Sequence, residues 1–271
     1  MPRLFFFDLD NTLLDHRTLT IPPSALAAID RLKRDGHTVA VATGRAHAHA
    51  KPFIDPLRPA YAITQNGACI LRGDEIVLSR PLPRERLVAL FDWMAARGHP
   101  HGVNGGASGY LSARTPMTTA ALDTVAMPYQ SERPIHLQRD VHQGWLFFDE
   151  SLDADLLPTL RARFPEFEFF RWHRWAVDVQ QQDVDKWTAC QWVMARTGFG
   201  AEQAVAFGDG LNDVKMLQGV GLGIAMGNAH PALKAVADRI APPIHLDGVA
   251  RMLAELTGGA DPGPAVEKSR D

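Results

Sequence analysis

Two carboxylates lie two residues apart near the start of the chain, directly after an unbroken apolar run. Asp8 and Asp10 follow Leu4-Phe5-Phe6-Phe7. Such a run is typical of a strand buried on both faces, as in a parallel sheet covered by helices, and the acids then emerge at its carboxyl end. In open α/β sheets that edge is where ligands bind. The alternative is a strand that ends in an acidic turn, because Asp is an ordinary turn residue.

Further polar residues follow later in the chain and could share that edge. They are Thr43-Gly44-Arg45, Lys186, Asp209, Asn212 and Asp213. Carboxylates that converge repel one another unless a cation lies among them, and oxygen ligands suit Mg²⁺, so the pattern predicts a magnesium site. A hydroxyl at Thr43 and an ammonium at Lys186 beside that cation would bind a dianionic phosphoryl group.

This chemistry needs a nucleophile and a proton donor. Because no Ser-His or Cys-His pair is indicated, we expect an aspartate to attack phosphorus and to form an aspartyl-phosphate intermediate. A neighbouring acid can protonate the leaving oxygen and later activate water. Asp10 suits the role of this acid and base.

The elements that must position these residues alternate between strand and helix. A helix is predicted from Pro22-Pro23 to Gly36, with an apolar stripe at Ala25, Ala28, Ile29 and Leu32. A second strand, 37–42, runs into Thr43. Strand, helix and strand make a unit whose strands are parallel, so Thr43 should lie at the same sheet edge as Asp8. A third strand is predicted at 60–64, and a buried strand at 204–207 leads into Asp209.

The middle of the chain has a different pattern. Pro81 and Pro83 mark a linker, and a helix is predicted over 84–97. Gly105, Gly106 and Gly109 are expected to break the chain. Strands at 145–148, 167–172 and 176–179 then surround a helix at 152–164, and this aromatic-rich arrangement predicts a small α+β insertion. The tail from Gly258, rich in Gly, Pro and charge, is predicted to be flexible.

The composition of the chain limits the number of domains and the kinds of partner that it can have. The 271 residues are 46% hydrophobic with a net charge of −3, which is enough material for one large or two medium domains. Without a cluster of Lys and Arg, we expect no nucleic-acid or membrane partner, although small anionic substrates fit. No secretory signal or membrane span is evident, which predicts a cytoplasmic location. Cys69 and Cys190 are expected to be small buried hydrophobes.

Four stretches together resemble the motifs of the haloacid dehalogenase (HAD) superfamily and, within it, the Cof-type phosphatases with the larger α/β cap. In chain order they are Asp8-Leu9-Asp10-Asn11-Thr12, Thr43-Gly44-Arg45, Lys186 and Gly208-Asp209-Gly210-Leu211-Asn212-Asp213. The resemblance implies an α/β fold: a Rossmann-like parallel sheet core over 1–81 and 186–257, an inserted α+β cap over 82–185, and a tail over 258–271.

The resemblance also implies roles for the motif residues. Asp8 would attack phosphorus and Asp10 would be the acid/base. Mg²⁺ would be held by the Asp8 carboxylate, the Asp10 backbone carbonyl and Asp209, with Asp213 as a further ligand or as support behind the ligands. The phosphate- and substrate-binding residues would be Thr43, Gly44, Arg45, Lys186 and Asn212.

Some residues carry open alternatives. Trp187 follows Lys186 where Cof-type chains often have a small residue, and its bulk could narrow the pocket. Lys186 could instead be a solvated lysine at a helix start, and Asp213 a helix N-terminal acid. His47 and His49 are two residues apart and so point to different sides of a helix, which argues against a metal pair. The aromatic stretch Trp172 to Trp175 is either core or ligand-facing at alternate positions.

The sequence therefore predicts a Mg²⁺-dependent phosphatase acting on a small phosphorylated metabolite, with a sugar phosphate as the first expectation from the resemblance. One alternative is a phosphotransferase or mutase on the same core. Another is a catalytically silent regulator that binds a phosphometabolite, and the presence of both Asp8 and Asp10 argues against it.

Overall fold

The chain folds into two compact units, of which the second is inserted into the first. The computed structural model describes residues 1–106, 108–124, 129–130 and 133–258. The first unit comprises Met1–Arg45, Ala50–Leu78 and the described residues from Asp185 onward, and the second comprises Ala46–His49 and Ser79–Val184. The predicted cap, 82–185, overlaps the second unit. Beyond Gly258, the predicted tail lies outside the described residues.

The strands of the described residues are, in chain order, β1 (Leu4–Phe7), β2 (Thr38–Ala42), β3 (Tyr61–Thr64), β4 (Cys69–Arg72), β5 (Glu75–Ser79), β6 (His101–Asn104), β7 (Gly109–Leu111), β8 (Tyr129–Gln130), β9 (Gln143–Phe147), β10 (Phe167–His173), β11 (Ala176–Gln181), β12 (Ala204–Gly208), β13 (Leu222–Ala225) and β14 (Arg239–Ile240).

The α-helices of the same residues are α1 (Pro23–Arg34), α2 (His47–Ile54), α3 (Arg84–Ala95), α4 (Pro116–Asp123), α5 (Asp153–Arg163), α6 (Lys186–Thr197), α7 (Val214–Gly219), α8 (Pro231–Lys234) and α9 (Gly248–Thr257). Among the described residues, none of the helices has the length and apolar character needed to cross a membrane.

The first unit is built on an eight-stranded sheet with the order β14-β13-β12-β1-β2-β3-β4-β5. β1 lies in its middle and pairs in parallel with β12 on one side and β2 on the other. All four residues of β1 are buried, because helices cover both faces of a parallel sheet. The prediction of an α/β fold with a Rossmann-like parallel core is confirmed. Both cysteines are buried thiols, as expected.

The second unit has its own six-stranded sheet, with the order β10-β11-β9-β6-β7-β8. One apolar core joins residues of α3, such as Leu87 and Phe91, to strand residues such as Leu146 and Val177. This unit is the predicted α+β insertion, since its helices pack on a largely antiparallel sheet.

The sequence prediction is wrong at Gly109, which begins β7 and does not break the chain. A Cβ built on Gly109 would lie 2.8 Å from the Val103 carbonyl oxygen and 2.9 Å from the Trp145 ring. The position needs a glycine because a strand backbone and a large ring approach it closely, and glycine in a strand often marks such an approach.

Candidate active site

The predicted residues follow three neighbouring parallel strands. Asp8 follows β1, Thr43 follows β2, and Asp209 follows β12. The Asp8 amide donates to the Phe207 carbonyl at 2.9 Å, and the Thr43 amide donates to the Ile63 carbonyl at 2.9 Å. Because the ladder hydrogen bonds extend past the strand ends, both residues have fixed backbones at one edge of the sheet.

Lys186 lies between two carboxylates at this edge. Its Nζ donates to Asp8 Oδ1 at 2.6 Å and to Asp213 Oδ1 at 2.6 Å. Lys186 is 1% exposed and Asp8 is 4% exposed. Burial lowers the pKa of Lys186, but the charges of Asp213 and Asp8 outweigh burial and raise the pKa above its usual value. The lysine is therefore a buried ammonium, and it is not a solvated residue at a helix start.

The start of α6 delivers this lysine to the site. The Asp185 side chain accepts a hydrogen bond from the Thr188 amide at 2.8 Å, and Thr188 Oγ1 accepts one from the Asp185 amide at 3.2 Å. Such a capping box fixes the first turn of a helix. Gly67 permits the close approach, since a Cβ there would lie 2.2 Å from the Asp185 carbonyl oxygen.

Trp187 packs against α7. A Cβ added to Gly219, the last residue of α7, would lie 2.4 Å from the Trp187 ring. The ring also packs against the core of the first unit. The large residue after the lysine is accommodated by a glycine on another helix, which accounts for the departure from the usual small residue.

Asp213 is fully buried, and both of its oxygens are engaged. Oδ1 accepts from Lys186, while Oδ2 accepts from the backbone amides of Asp209 and Gly210, each at 3.0 Å. The side chain also packs on Gly208, where a Cβ would lie 2.6 Å from the Asp213 Cγ. Asp213 thus holds both the lysine and the loop that carries Asp209.

The donor set here fits a divalent cation. Asp8, Asp209 and Asp213 each offer a carboxylate oxygen, and these atoms lie within 4.8 Å of one another. Burial raises the pKa of Asp8 well above its usual value. The charge of Lys186 lowers this pKa, and the charge of Asp213 raises it further. Burial and the charge of Asp213 raise the pKa of Asp209 to about 7. Closely spaced carboxylates are stabilised in their ionised form by a cation, and all-oxygen ligands suit Mg²⁺.

Asp10 has different partners. Arg45 Nε donates to Asp10 Oδ1 at 2.9 Å and to Oδ2 at 3.0 Å, and Arg45 Nη2 donates to Oδ1 at 2.6 Å. His16 Nε2 lies 2.6 Å from the same Oδ1. Burial raises the pKa of Asp10, but hydrogen bonds and charge from Arg45 and His16 outweigh it and leave the pKa below the usual value. In this structure Arg45, predicted to bind substrate, pairs with Asp10.

The remaining predicted residues meet around Asn66. The Asn66 amide donates to the Thr43 carbonyl at 3.0 Å, and its side-chain oxygen accepts from Asn212 Nδ2 at 2.9 Å. A Cβ on Gly44 would lie 3.0 Å from that oxygen. Thr43 Oγ1 accepts from the Arg45 amide at 3.1 Å. The structure thus brings all the predicted site residues to one edge of the sheet.

Sequence reasoning gave no role to His16 or to Asn66. Asn66 had a detectable signal, because it follows β3 at the same edge as Thr43 follows β2. Its φ of 53° is in the left-handed region, which Asn tolerates better than most residues. His16 had no such signal, since it lies six residues after Asp10 in an irregular segment.

The aromatic stretch of the second unit is engaged within that unit. Trp172 packs on an apolar cluster with Leu111 and Leu122. His173 Nδ1 accepts from the Trp175 amide at 3.2 Å, and Trp175 Nε1 donates to Asp149 at 3.0 Å. Trp172 therefore packs on the core of the unit, whereas His173 and Trp175 are half-buried and hold polar contacts.

Comparison with known proteins gives consistent matches along the chain. The family model for haloacid dehalogenase-like hydrolases matches residues 5–253. YkrA of Bacillus subtilis (strain 168) is 31% identical over 94% of this chain and 97% of its own length. The pyridoxal phosphate phosphatase YbhA of Escherichia coli (strain K12) is 29% identical over 93% of this chain and 97% of its own length. The solved structure of the HAD subclass IIB sugar phosphatase BT4131 superposes with a TM-score of 0.79 at 27% identity, covering 94% of this chain and 98% of that one.

Proposed function

The chain belongs to the haloacid dehalogenase-like hydrolase family, and we propose that it hydrolyses small phosphate monoesters with bound Mg²⁺ through an aspartyl-phosphate on Asp8. The resemblance that the four motifs carry is confirmed by the family match, and the chain is a phosphoric monoester hydrolase. The observation that carries the proposed mechanism is the buried contact of Lys186 with Asp8 and Asp213, at 2.6 Å each.

The residues that would hold Mg²⁺ are Asp8, Asp209 and the backbone carbonyl of Asp10. Asp213 lies close enough to contribute, but both of its oxygens already accept hydrogen bonds. We assign it to the support of Lys186 and of the Asp209 loop. When bound, the cation offsets the charge of the carboxylates and of the phosphoryl group.

In the first half of the reaction, a carboxylate oxygen of Asp8 attacks phosphorus. A bond forms between that oxygen and phosphorus, and the bond from phosphorus to the leaving oxygen breaks. Lys186 offsets negative charge on the phosphoryl oxygens and holds Asp8 in place, since its ammonium is buried beside the Asp8 carboxylate. Asp10 gives a proton to the leaving oxygen.

In the second half, a water molecule attacks the phosphorus of the aspartyl-phosphate. Asp10 accepts the proton from that water, and the Asp8 carboxylate and inorganic phosphate are released. Hydrogen bonds and charge from Arg45 and His16 lower the pKa of Asp10, so the carboxylate is the form that receives this proton. The proton gained is then available for the leaving oxygen of the next substrate.

The phosphoryl group is expected to bind the peptide at Thr43 and Gly44, with Asn212 beside it. Gly44 leaves its backbone accessible, and Asn66 fixes both Thr43 and Asn212 through hydrogen bonds. For the rest of the substrate, we propose a small phosphorylated metabolite. The pyridoxal phosphate phosphatase and the sugar phosphatase among the similar proteins support this class.

The test is a panel of phosphorylated metabolites assayed with purified protein for release of inorganic phosphate, with and without Mg²⁺. We expect Asp8→Asn to abolish release, because an amide is a poor nucleophile and lacks the charge that a cation needs. Asp30→Asn, the same chemical change at an exposed acid, is the control and should keep full activity. Activity of Asp8→Asn above a few per cent, after contaminating phosphatases are excluded, would refute the nucleophile assignment. Formation of a phosphorylated isomer without phosphate release would indicate a mutase.

A further inference from the structure

His16 contacts the proposed acid/base directly, and the proposed mechanism gives it no part beyond a charge effect. Its Nε2 lies 2.6 Å from Asp10 Oδ1. The side chain is 47% exposed, so apolar burial does not account for the placement of the ring. A hydrogen bond to a carboxylate is shorter and stronger than one between neutral groups. The contact therefore contributes to the orientation of Asp10.

The segment around His16 is held by its own hydrogen bonds. The Asp15 carboxylate accepts from the Arg17 amide at 2.9 Å, across His16. The Asp15 amide donates to the Thr20 carbonyl at 3.0 Å, and the Leu19 amide donates to the Asp15 carbonyl at 2.7 Å. Asp15 is buried. A side chain that caps its own turn fixes the backbone there, so the position of His16 is set by the turn.

The two carboxylate oxygens of Asp10 accept different numbers of hydrogen bonds. Oδ1 accepts from Arg45 Nε at 2.9 Å, from Arg45 Nη2 at 2.6 Å and from His16 at 2.6 Å. Within the described part of the chain, Oδ2 accepts a single hydrogen bond, from Arg45 Nε at 3.0 Å. An oxygen with three short hydrogen bonds has little capacity left for a proton, because each carboxylate oxygen offers about two lone-pair sites.

We propose that His16 is a positioning residue for Asp10, anchoring Oδ1 together with Arg45 so that Oδ2 exchanges the proton. This inference rests on the proposed function. As the bond from phosphorus to the leaving oxygen breaks, the proton on Oδ2 moves to that oxygen. As water attacks the aspartyl-phosphate, its proton moves to Oδ2. His16 donates its hydrogen bond throughout and exchanges no proton with the substrate.

The test uses the dependence of general-acid catalysis on the leaving group. An alkoxide needs a proton as it departs, whereas 4-nitrophenolate leaves readily without one, so the loss of a positioned acid affects alkyl esters selectively. kcat/KM reports the steps up to the first irreversible one. We expect His16→Ala to lower kcat/KM for the best alkyl phosphate of the panel by about 10-fold, part of the 10²–10⁴ that a general acid supplies. For 4-nitrophenyl phosphate we expect a change below about twofold.

Two further variants separate positioning from support of the fold. His16→Gln keeps an N–H donor and should recover most of the alkyl-ester activity. Arg17→Ala is the matched control, because Arg17 is the next residue of the same turn and pairs with Asp15, not with Asp10. It should leave the ratio of alkyl to aryl rates unchanged. A uniform loss on both esters in His16→Ala would overturn the proposal.

A double-mutant cycle tests whether His16 acts through Asp10. In the Asp10→Asn background, His16→Ala should change kcat/KM for the alkyl ester by less than about twofold, because the group it positions has been replaced. The same 10-fold loss in that background would show that His16 acts elsewhere. If His16→Ala has no effect while Asp10→Asn is severely impaired, the positioning role fails and the proposed function stands. An Asp10→Asn variant with the wild-type rate would overturn the acid/base assignment itself.

Discussion

Replacing Lys186 with methionine should destabilise the first unit strongly. The substitution keeps an unbranched side chain out to the ε position but leaves Asp8 and Asp213 buried without the ammonium that lies 2.6 Å from each. Removing one partner of a buried ion pair costs about 3–5 kcal/mol, because the remaining charge is left uncompensated. We therefore expect Lys186→Met to lower the free energy of unfolding by about 3 kcal/mol or more at pH 7, measured by urea titration without Mg²⁺.

The loss should shrink as the pH falls. The charge of Lys186 lowers the pKa of Asp8, which burial has raised above its usual value, so removing the lysine raises that pKa further. A carboxyl whose pKa is higher in the folded than in the unfolded state destabilises the fold when it is ionised. This destabilisation is lost when the pH falls through the pKa of the folded state. The difference between Lys186→Met and wild type should thus be smaller at pH 5 than at pH 7.

Lys215→Met is the matched control. Lys215 is 68% exposed and pairs with Asp185 at the surface, and such pairs contribute about 0–1 kcal/mol. If Lys186→Met were no more destabilised than Lys215→Met at pH 7, the buried ammonium would not be what stabilises the two carboxylates. The electrostatic description of the site would then be wrong.

Two other predictions follow from the same structure. Asp10→Asn should keep the affinity for Mg²⁺ in a metal titration, since its backbone carbonyl is the proposed ligand, but should lower kcat by about 10²–10⁴; an equal collapse of Mg²⁺ affinity would make the side chain a ligand. In the second unit, burial and the charge of His136 lower the pKa of His101 to about 4. Its neutral form is favoured by folding, so its contribution to stability is complete above the unfolded value of about 6.5 and is lost as pH falls towards about 4. Urea titrations at pH 7 and pH 5 should show His101→Phe losing about 2 kcal/mol less than wild type on acidification. An identical loss in both proteins would show that His101 does not set the acid sensitivity.

Much of the site was predictable because local pattern and strand direction together determine it. The apolar run before Asp8 indicated a buried strand, and the helix between it and the next strand indicated a parallel pair. Parallel strands end at one edge, so the residues after them converge whatever the details of packing. Thr43 and Asp209 were placed by the same reasoning.

Other features depend on contacts between distant parts of the chain. Whether Trp187 narrows the pocket depends on Gly219, thirty-two residues later, whose missing side chain makes room for the ring. β7 was missed because its first residue, Gly109, looks like a break, whereas that glycine allows the Val103 carbonyl and the Trp145 ring to approach. His16 reaches Asp10 through a turn whose conformation is set by Asp15. None of these contacts is indicated by a periodic pattern in the sequence.

The most direct test of the proposed mechanism is to find the phosphoryl group on the protein during turnover. The protein would be mixed with a substrate from the panel, stopped in acid after milliseconds to seconds, digested and analysed by mass spectrometry, in wild type and in Asp10→Asn. We predict phosphate on the peptide that carries Asp8, formed and lost at rates that account for turnover, and persisting longer in Asp10→Asn because activation of water is impaired. Turnover with no phosphate on Asp8, or with phosphate on another residue, would contradict the mechanism.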